Sequence, residues 1–313
     1  MGRRIRIWKP GAMYHVTLQC VDRMFLLKPS AKLNNVVGET LGRALELSPV
    51  DLHSATTNIN HMELLLSLRE EQVANASNFL RNFAGQTARS ANKLLEREGH
   101  FWSGRARVEE VKSDRKAEKL LGYGACNTVK DGLVENASHW KGFSTTKALS
   151  RGEDTMTFTY VDRSLWWKHG AGQSGDVDPT KYTRKTEIKL KPIPSWQRLK
   201  HHQRATRFRH LIRDYEKKAR EEREADGITG VKGMARIEQE SPFSKPRSPR
   251  RRTFQPLCHV DTREEYRLYQ EEHREISSQH RKASLLYTSG YFEAEFPPGT
   301  FRPPLVTVFG WAA

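Results

Sequence analysis

The chain is 313 residues long, enough for roughly two domains at about 150 residues each. Lys and Arg total 53 against 37 for Asp and Glu, and the formal charge of +16 points to a polyanionic partner, most often nucleic acid. No apolar run approaches the ~18 residues of a membrane span, and no apolar stretch follows the basic segment from Met1 to Pro10, which argues against a membrane helix and a secretory signal.

Hydrophobic residues make up 36% of the chain, which leaves part of it for a loosely folded or solvated basic surface. Cys20, Cys126 and Cys258 are scattered and form no CxxC pair. A disulfide framework and a zinc site built on Cys pairs are therefore not expected, and a reducing cytosol is.

In chain order, Ala12 to Cys20 reads as a strand, because Tyr14, Val16 and Leu18 alternate with His15, Thr17 and Gln19. From Ala31 to Leu47 the apolar spacing becomes helical, and Pro49 ends the helix. Asp51 to Thr57 and His61 to Leu68 read as two strands around a turn flanked by Asn58 and Asn60. A long helix is expected from about Glu70 to Arg97, with Gly99 as its C-cap. Arg105 to Val111 reads as a fourth strand and Lys116 to Asn127 as a third helix, weakened by Gly122 and Gly124. The order predicts an α+β fold: a ferredoxin-like split βαβ unit, an antiparallel sheet with helices on one face.

After about Ser150 the character changes. Residues 170–178 read as a loop, Trp196 to Ala225 and Thr262 to Leu286 as charged helices, 241–254 as a disordered basic linker, and Phe296 to Pro304 as a Pro-rich tail. The expected division is a catalytic domain over residues 1–150 and a basic, mostly helical, partly disordered extension over 151–313.

Three local features carry chemistry. On a strand, His61 and Glu63 share one face; such a pair holds a divalent cation in some proteins and decorates a surface in others, the carboxylate suiting Mg²⁺ or Mn²⁺. On a helix, Tyr123 and Asn127 project together; the phenol suits nucleophilic attack, or the ring fills core and the amide ends the helix. The run Gly99-His100-Phe101-Trp102-Ser103-Gly104-Arg105 sets aromatics beside a cation. That suits base stacking and phosphate contact, or packing of the sheet edge.

Together and in order, these blocks resemble the single-tyrosine transposases of the HUH class, in particular the REP-associated tyrosine transposases. Met13-Tyr14-His15-Val16-Thr17, followed by Arg23 and Phe25, resembles that family's opening strand. Asn60-His61-Met62-Glu63-Leu64-Leu65-Leu66 resembles the strand that bears the metal motif. Gly99 to Arg105, and Tyr123-Gly124-Ala125-Cys126-Asn127 running on to Val134, resemble the GxxWxxR and tyrosine-helix blocks. The match spans roughly residues 10 to 145, and the segment Glu295 to Pro304 resembles the ending of long bacterial members.

The resemblance implies that Tyr123 attacks a phosphate of single-stranded DNA beside a hairpin, leaving a 5′-phosphotyrosine. It implies His61 and Asn127 as ligands of Mg²⁺ or Mn²⁺, with Glu63 standing where the family has a second histidine. The candidate DNA contacts are Arg23, Trp102, Arg105, Arg107 and Lys130. Hairpin DNA is the implied partner, family members act as monomers or dimers, and the implied setting is the bacterial cytoplasm at the nucleoid. Glu63 adds negative charge near the phosphate, while Gly124 replaces the usual Ile and Thr128 the usual Pro. A second reading is a retired transposase that grips hairpin DNA without cutting it. A third is an RNA-binding module, which the strand His61 to Leu68 disfavours because it lacks stacking aromatics. Arg204, Arg207, Arg209, Arg213, Arg247 and Arg250 to Arg252 either track a DNA backbone or form a solvated face.

Overall fold

The computed structural model describes residues 4–171, 178–227, 230–246 and 257–303. Strand β1 (Met13–Gln19), helix α1 (Ala31–Leu47), strands β2 (Asp51–Thr57) and β3 (His61–Ser67), helix α2 (Ala76–Leu94) and strand β4 (Arg107–Val111) follow in sequence. The strands stand in the order β2-β3-β1-β4 and every neighbouring pair among them is antiparallel. This is the expected split βαβ sheet. Helices α1 and α2 lie against each other over one face, where Val16, Leu18, Met62, Leu64 and Leu66 meet Leu41, Phe79 and Phe83. Each fully buried side chain of this size contributes about 1.5–3 kcal/mol.

Helix α1 starts where the Ser30 hydroxyl accepts from the Leu33 amide at 3.1 Å. Helix α2 is shorter than the apolar spacing suggests. Its expected first turn, Glu70–Asn75, is a 3₁₀ turn tied to β2, since the Gln72 amide donates to Asp51 at 3.1 Å. The helix ends at Leu94, and Glu96 takes the left-handed conformation (φ 50°) that Gly99 was expected to supply.

Helix α3 (Asp114–Lys130) crosses the opposite face of the sheet. It begins earlier than expected because Ser113 caps the Lys116 amide at 3.2 Å. Beyond it come α4 (Thr146–Arg151), β5 (Thr155–Val161), α5 (Arg163–Trp166), β6 (Thr183–Lys189), α6 (His201–Ala225), α7 (Met234–Gln239), β7 (Cys258–His259) and α8 (Arg263–Thr288). Gly122 serves the packing of α3 on α6, because the Tyr215 ring sits 2.6 Å from where a Cβ would stand. A second core forms there from Met13, Leu65 and Val111 of the sheet, Leu121 and Val129 of α3, and Phe208 and Ile212 of α6.

The second half of the chain therefore holds more than helices. Strands β5 and β6 pair as an antiparallel hairpin that docks on α1. Its seat is a groove at Gly38 and Gly42, one helical turn apart. A Cβ at 38 would lie 2.3 Å from the Phe158 ring, and one at 42 would lie 2.6 Å from the Thr186 hydroxyl. Strand β7 joins β4 in parallel, so the sheet gains a fifth strand from the C-terminal part. Side chains on both sides of residue 150 share the two cores. Within the expected linker, residues 241–246 are held in place, with the Phe25 amide donating to Ser244 O at 3.0 Å and Lys245 pairing with Asp22 at 2.9 Å. The rest of that linker, 247–254, lies outside the described residues. Near the tail, the Trp8 amide donates to Gly299 O at 2.9 Å.

Glycine in a helix interior ordinarily costs about 1 kcal/mol relative to alanine. Gly85 of α2 has nothing within 4 Å of a new Cβ, so Gly85→Ala is expected to stabilise the fold by roughly that amount. Gly38→Ala is expected to destabilise it by about 1–3 kcal/mol through overpacking against Phe158. Urea unfolding midpoints of the two variants check both signs.

Candidate active site

The twofold period of the strands sorts their side chains between the two faces. Met13, Leu65 and Val111 share the α3 face with His15, Thr17, His61, Glu63, Arg107 and Glu109. The register sets Thr17 opposite Glu63 and Arg107, Gln19 opposite His61, and His15 opposite Glu109. One end of the face is thus apolar and packs the first half of α3. The other end is charged and meets its second half.

Asn127 of α3 reaches that charged end. Its amide nitrogen lies 2.8 Å from His61 Nε2 and 3.3 Å from Glu63 Oε1, and those two atoms are 3.8 Å apart. Turning the amide end for end presents its oxygen at the same place. His61 Nδ1 rests on Asn60 Oδ1 at 2.8 Å, which orients the ring. Glu63 is 8% exposed, and its Oε2 is buried without a hydrogen-bond partner. An unpaired buried carboxylate oxygen is costly, and with an imidazole and an amide converging on the other oxygen of the same carboxylate, this donor set fits a hard divalent cation.

Beyond Glu63 the charged end continues into residues that the motif reading left out of the site. His15 Nε2 is 4.0 Å from Glu63 Oε2, and His15 Nδ1 is 3.4 Å from Glu109 Oε2. His259 of β7 brings Nε2 to 3.5 Å from the same Glu109 oxygen, and Arg107 donates to it at 2.7 Å. Burial alone would push the Glu109 carboxyl up, but the neighbouring imidazoles of His15 and His259 and the Arg107 guanidinium outweigh it. They hold the group well below the ordinary carboxylate range.

Tyr123 is half-buried on a neighbouring face of α3. It lines a cleft between α3 and α6 with Lys119, Lys130, Tyr215 and Lys218. Lys130 Nζ stands 5.4 Å from the centre of its ring. Burial, then the neighbouring Lys116 and Lys218, lower the Lys119 ammonium, and Glu222, which also lines the cleft, pairs with Lys130 and Lys218 at 3.8 and 3.9 Å. The tyrosine was expected to project with Asn127. Asn127 instead turns to the strands, and the walls of the tyrosine cleft are α3 and α6. Gly124 faces the strands, where a Cβ would lie 3.7 Å from Glu63 Oε2.

The candidate DNA contacts are dispersed. Arg105 is exposed, in a basic cleft with Arg4, Arg6 and Arg107. Arg107 is half-buried and engaged by Glu109, and Lys130 is exposed, 3.8 Å from Glu222. Arg23 adopts a left-handed conformation (φ 58°) and its carbonyl accepts from Asn60. Of its two expected roles, base contact and packing, Trp102 takes packing: it is 9% exposed, its indole N–H donates to Ala84 O at 2.9 Å, and its ring meets Phe101 edge-on. Of the distal arginines, Arg204 pairs with Asp154 and Arg207 with Glu118, while Arg247 and Arg250 to Arg252 lie outside the described residues. His15 had a sequence signal, its place on the polar side of the first strand. Glu109 and His259 had none that ties them together, because their meeting depends on a two-residue strand pairing.

No protein-family model and no curated protein sequence matches the chain. Solved structures that resemble it include a REP-associated tyrosine transposase bound to a REP hairpin, at 19% identity and a TM-score of 0.41, covering 49% of this chain and 87% of that one. Another is a protein assigned as a transposase from Deinococcus radiodurans, at 17% identity and a TM-score of 0.29, covering 39% of this chain and 94% of that one. The first belongs to the family that the motifs resemble. Likeness of this degree carries nothing about chemistry, which rests on the side chains themselves. Among the described residues, no helix is long and apolar enough to cross a membrane.

A carboxylate held low stabilises the fold above its unfolded-state value, about 4.3 for Glu. That contribution is lost as pH falls through the folded-state value. Glu109→Gln is expected to lower stability at pH 7 by about 2 kcal/mol. The gap to wild type closes progressively as pH drops below about 4, and unfolding midpoints across an acid series check it.

Proposed function

We propose that this chain is a single-tyrosine transposase of the HUH class, of the REP-associated kind, that cleaves and rejoins single-stranded DNA beside hairpins. The observation that carries the reading is the convergence of His61 and Asn127 on Oε1 of the buried Glu63 carboxylate, one helical turn from Tyr123 in its cleft between α3 and α6.

A divalent cation such as Mg²⁺ or Mn²⁺, held by His61, Glu63 and Asn127, supplies charge neutralisation at a phosphoryl oxygen. The chain's own groups do the rest. Tyr123 Oη attacks the phosphorus, the bond to the 3′ oxygen breaks, and a 5′-phosphotyrosine forms. The phenol gives up its proton, and the departing 3′ oxygen takes one up as a hydroxyl. Reversal by another 3′-hydroxyl rejoins strands without a nucleotide cofactor. Lys119, Lys130 and Lys218 offer positive charge to the phosphate and to the phenolate. Arg105, with Arg4 and Arg6 in the same cleft, offers contacts to the DNA backbone. A cytoplasmic, nucleoid-associated setting accompanies this reading, with hairpin DNA as partner and a monomer or homodimer as the acting form.

The glutamate at 63 favours one second reading, a hairpin-binding protein that no longer cuts, because a carboxylate repels the scissile phosphate. Denaturing electrophoresis of the protein with labelled single-stranded hairpin DNA from the gene's flanks, with Mn²⁺ or Mg²⁺, separates the two. The expected result is a covalent adduct that Tyr123→Phe abolishes and that chelation before mixing prevents. Salt-sensitive binding without an adduct in wild type, with an adduct in Glu63→His, establishes the second reading instead.

A further inference from the structure

We propose that His15, Glu109 and His259 form a zinc site that fastens the C-terminal segment to the sheet, separate from the set His61, Glu63 and Asn127. It does not depend on the DNA-cleavage reading.

The three side chains come from β1, β4 and β7, so residues 244 positions apart in sequence meet across one sheet edge. His15 Nδ1 and His259 Nε2 stand 3.4 and 3.5 Å from Glu109 Oε2, and one ligand atom from each residue falls within 4.8 Å of the others. A tetrahedral zinc with bonds of about 2.0–2.1 Å needs ligand atoms roughly 3.3–3.5 Å apart. The two measured separations already match that edge. Two imidazoles and one carboxylate select zinc over Mg²⁺, which prefers oxygen.

The cluster also carries unspent valence. Glu109 is 1% exposed and its Oε1 has no hydrogen-bond partner, and His259 Nε2 has none either. Arg107 donates to the same Oε2 that the two imidazoles face, at 2.7 Å, and a carboxylate oxygen has lone pairs for both a hydrogen bond and a metal, while Oε1 stays unpartnered beside it. His15 presents its other ring nitrogen, Nε2, toward Glu63 Oε2 at 4.0 Å. A histidine that ligates zinc through one nitrogen commonly offers the other to a carboxylate. Glu63 is placed to serve that role with Oε2 while Oε1 faces Asn127 and His61. A histidine at 63 would offer no carboxylate to His15, so the departure from the family motif has a physical use here.

The site also has a mechanical use. Strand β7 pairs with β4 at two positions, supplemented by the Lys112 amide donating to His259 O at 2.9 Å. So short a strand is a weak anchor. A metal bond through His259 holds it in place.

Cobalt(II) replaces zinc and reports geometry, because tetrahedral cobalt absorbs strongly in the visible and octahedral cobalt weakly. The full-length chain would be dialysed against cobalt, and its bound metal counted by elemental analysis alongside the spectrum. The expected result is a tetrahedral band that zinc displaces, that His61→Ala retains, and that His259→Ala loses together with one equivalent of metal. His259→Cys is expected to keep the band and add a thiolate charge-transfer band, which separates loss of a ligand from loss of the fold. No tetrahedral band in wild type, or an unchanged band and stoichiometry in His259→Ala, overturns the proposal. None of these readouts involves DNA, so they stand or fall apart from the cleavage reading.

Discussion

Strand β1 is paired on both sides, with β3 and with β4, and the site depends on that register. Because side chains alternate, a slip of one residue would turn His15 toward α1 and α2 and bring Tyr14 and Val16 to the α3 face. The apolar packing of Val16, Leu18, Met62 and Leu64 against α1 and α2 forbids the slip. The charged end of the other face is therefore fixed by the hydrophobic core behind it. His61, Glu63, His15 and Glu109 are held at short range although they bury several charges near one another. Arg107 and the two imidazoles beside Glu109 offset part of that cost.

Helix α3 joins the two halves of this face. Its first half buries Leu121 and its neighbours over Met13, Leu65 and Val111, and its second half brings Asn127 over the charged end and Tyr123 to the cleft beside α6. Helix α6 closes on the opposite side, where Gly122 lets Tyr215 approach and Lys218 joins Lys119 and Lys130 around the tyrosine. The second half of the chain thus does more than add positive charge. It supplies a wall of the tyrosine cleft, a strand of the main sheet and the partner of Glu109.

Much of the first half was legible in the sequence because its elements are short-period and local. Helix α1 and strand β2 fall on their expected residues, and the split βαβ order follows from strong apolar alternation. The shared face of His61 and Glu63 also follows from period alone. What was hidden depends on contacts distant in sequence. The paired strands β5 and β6 fall in the extension expected to be mostly helical; β6 buries only Thr186 and Ile188, and the seat of the pair is a groove cut by two glycines in α1. The sequence leaves Trp102 between base stacking and packing, and the loop before β4 settles it by folding the ring into the first core. Tyr123 and Asn127 are close in sequence yet serve different walls, because α3 is sandwiched between the sheet and α6. The association of His15, Glu109 and His259 needs β7, whose two residues carry no periodic signal.

The central claim is that the charged end of the α3 face holds a catalytic cation between His61, Glu63 and Asn127. Anomalous diffraction from crystals of the full chain grown with Mn²⁺ and single-stranded hairpin DNA tests it most directly. The account predicts a manganese peak bonded to His61, to Glu63 Oε1 and to the Asn127 side-chain oxygen, with a DNA phosphate completing the shell. Full-occupancy DNA without a manganese peak there, or a peak that Glu63 does not touch, would contradict it.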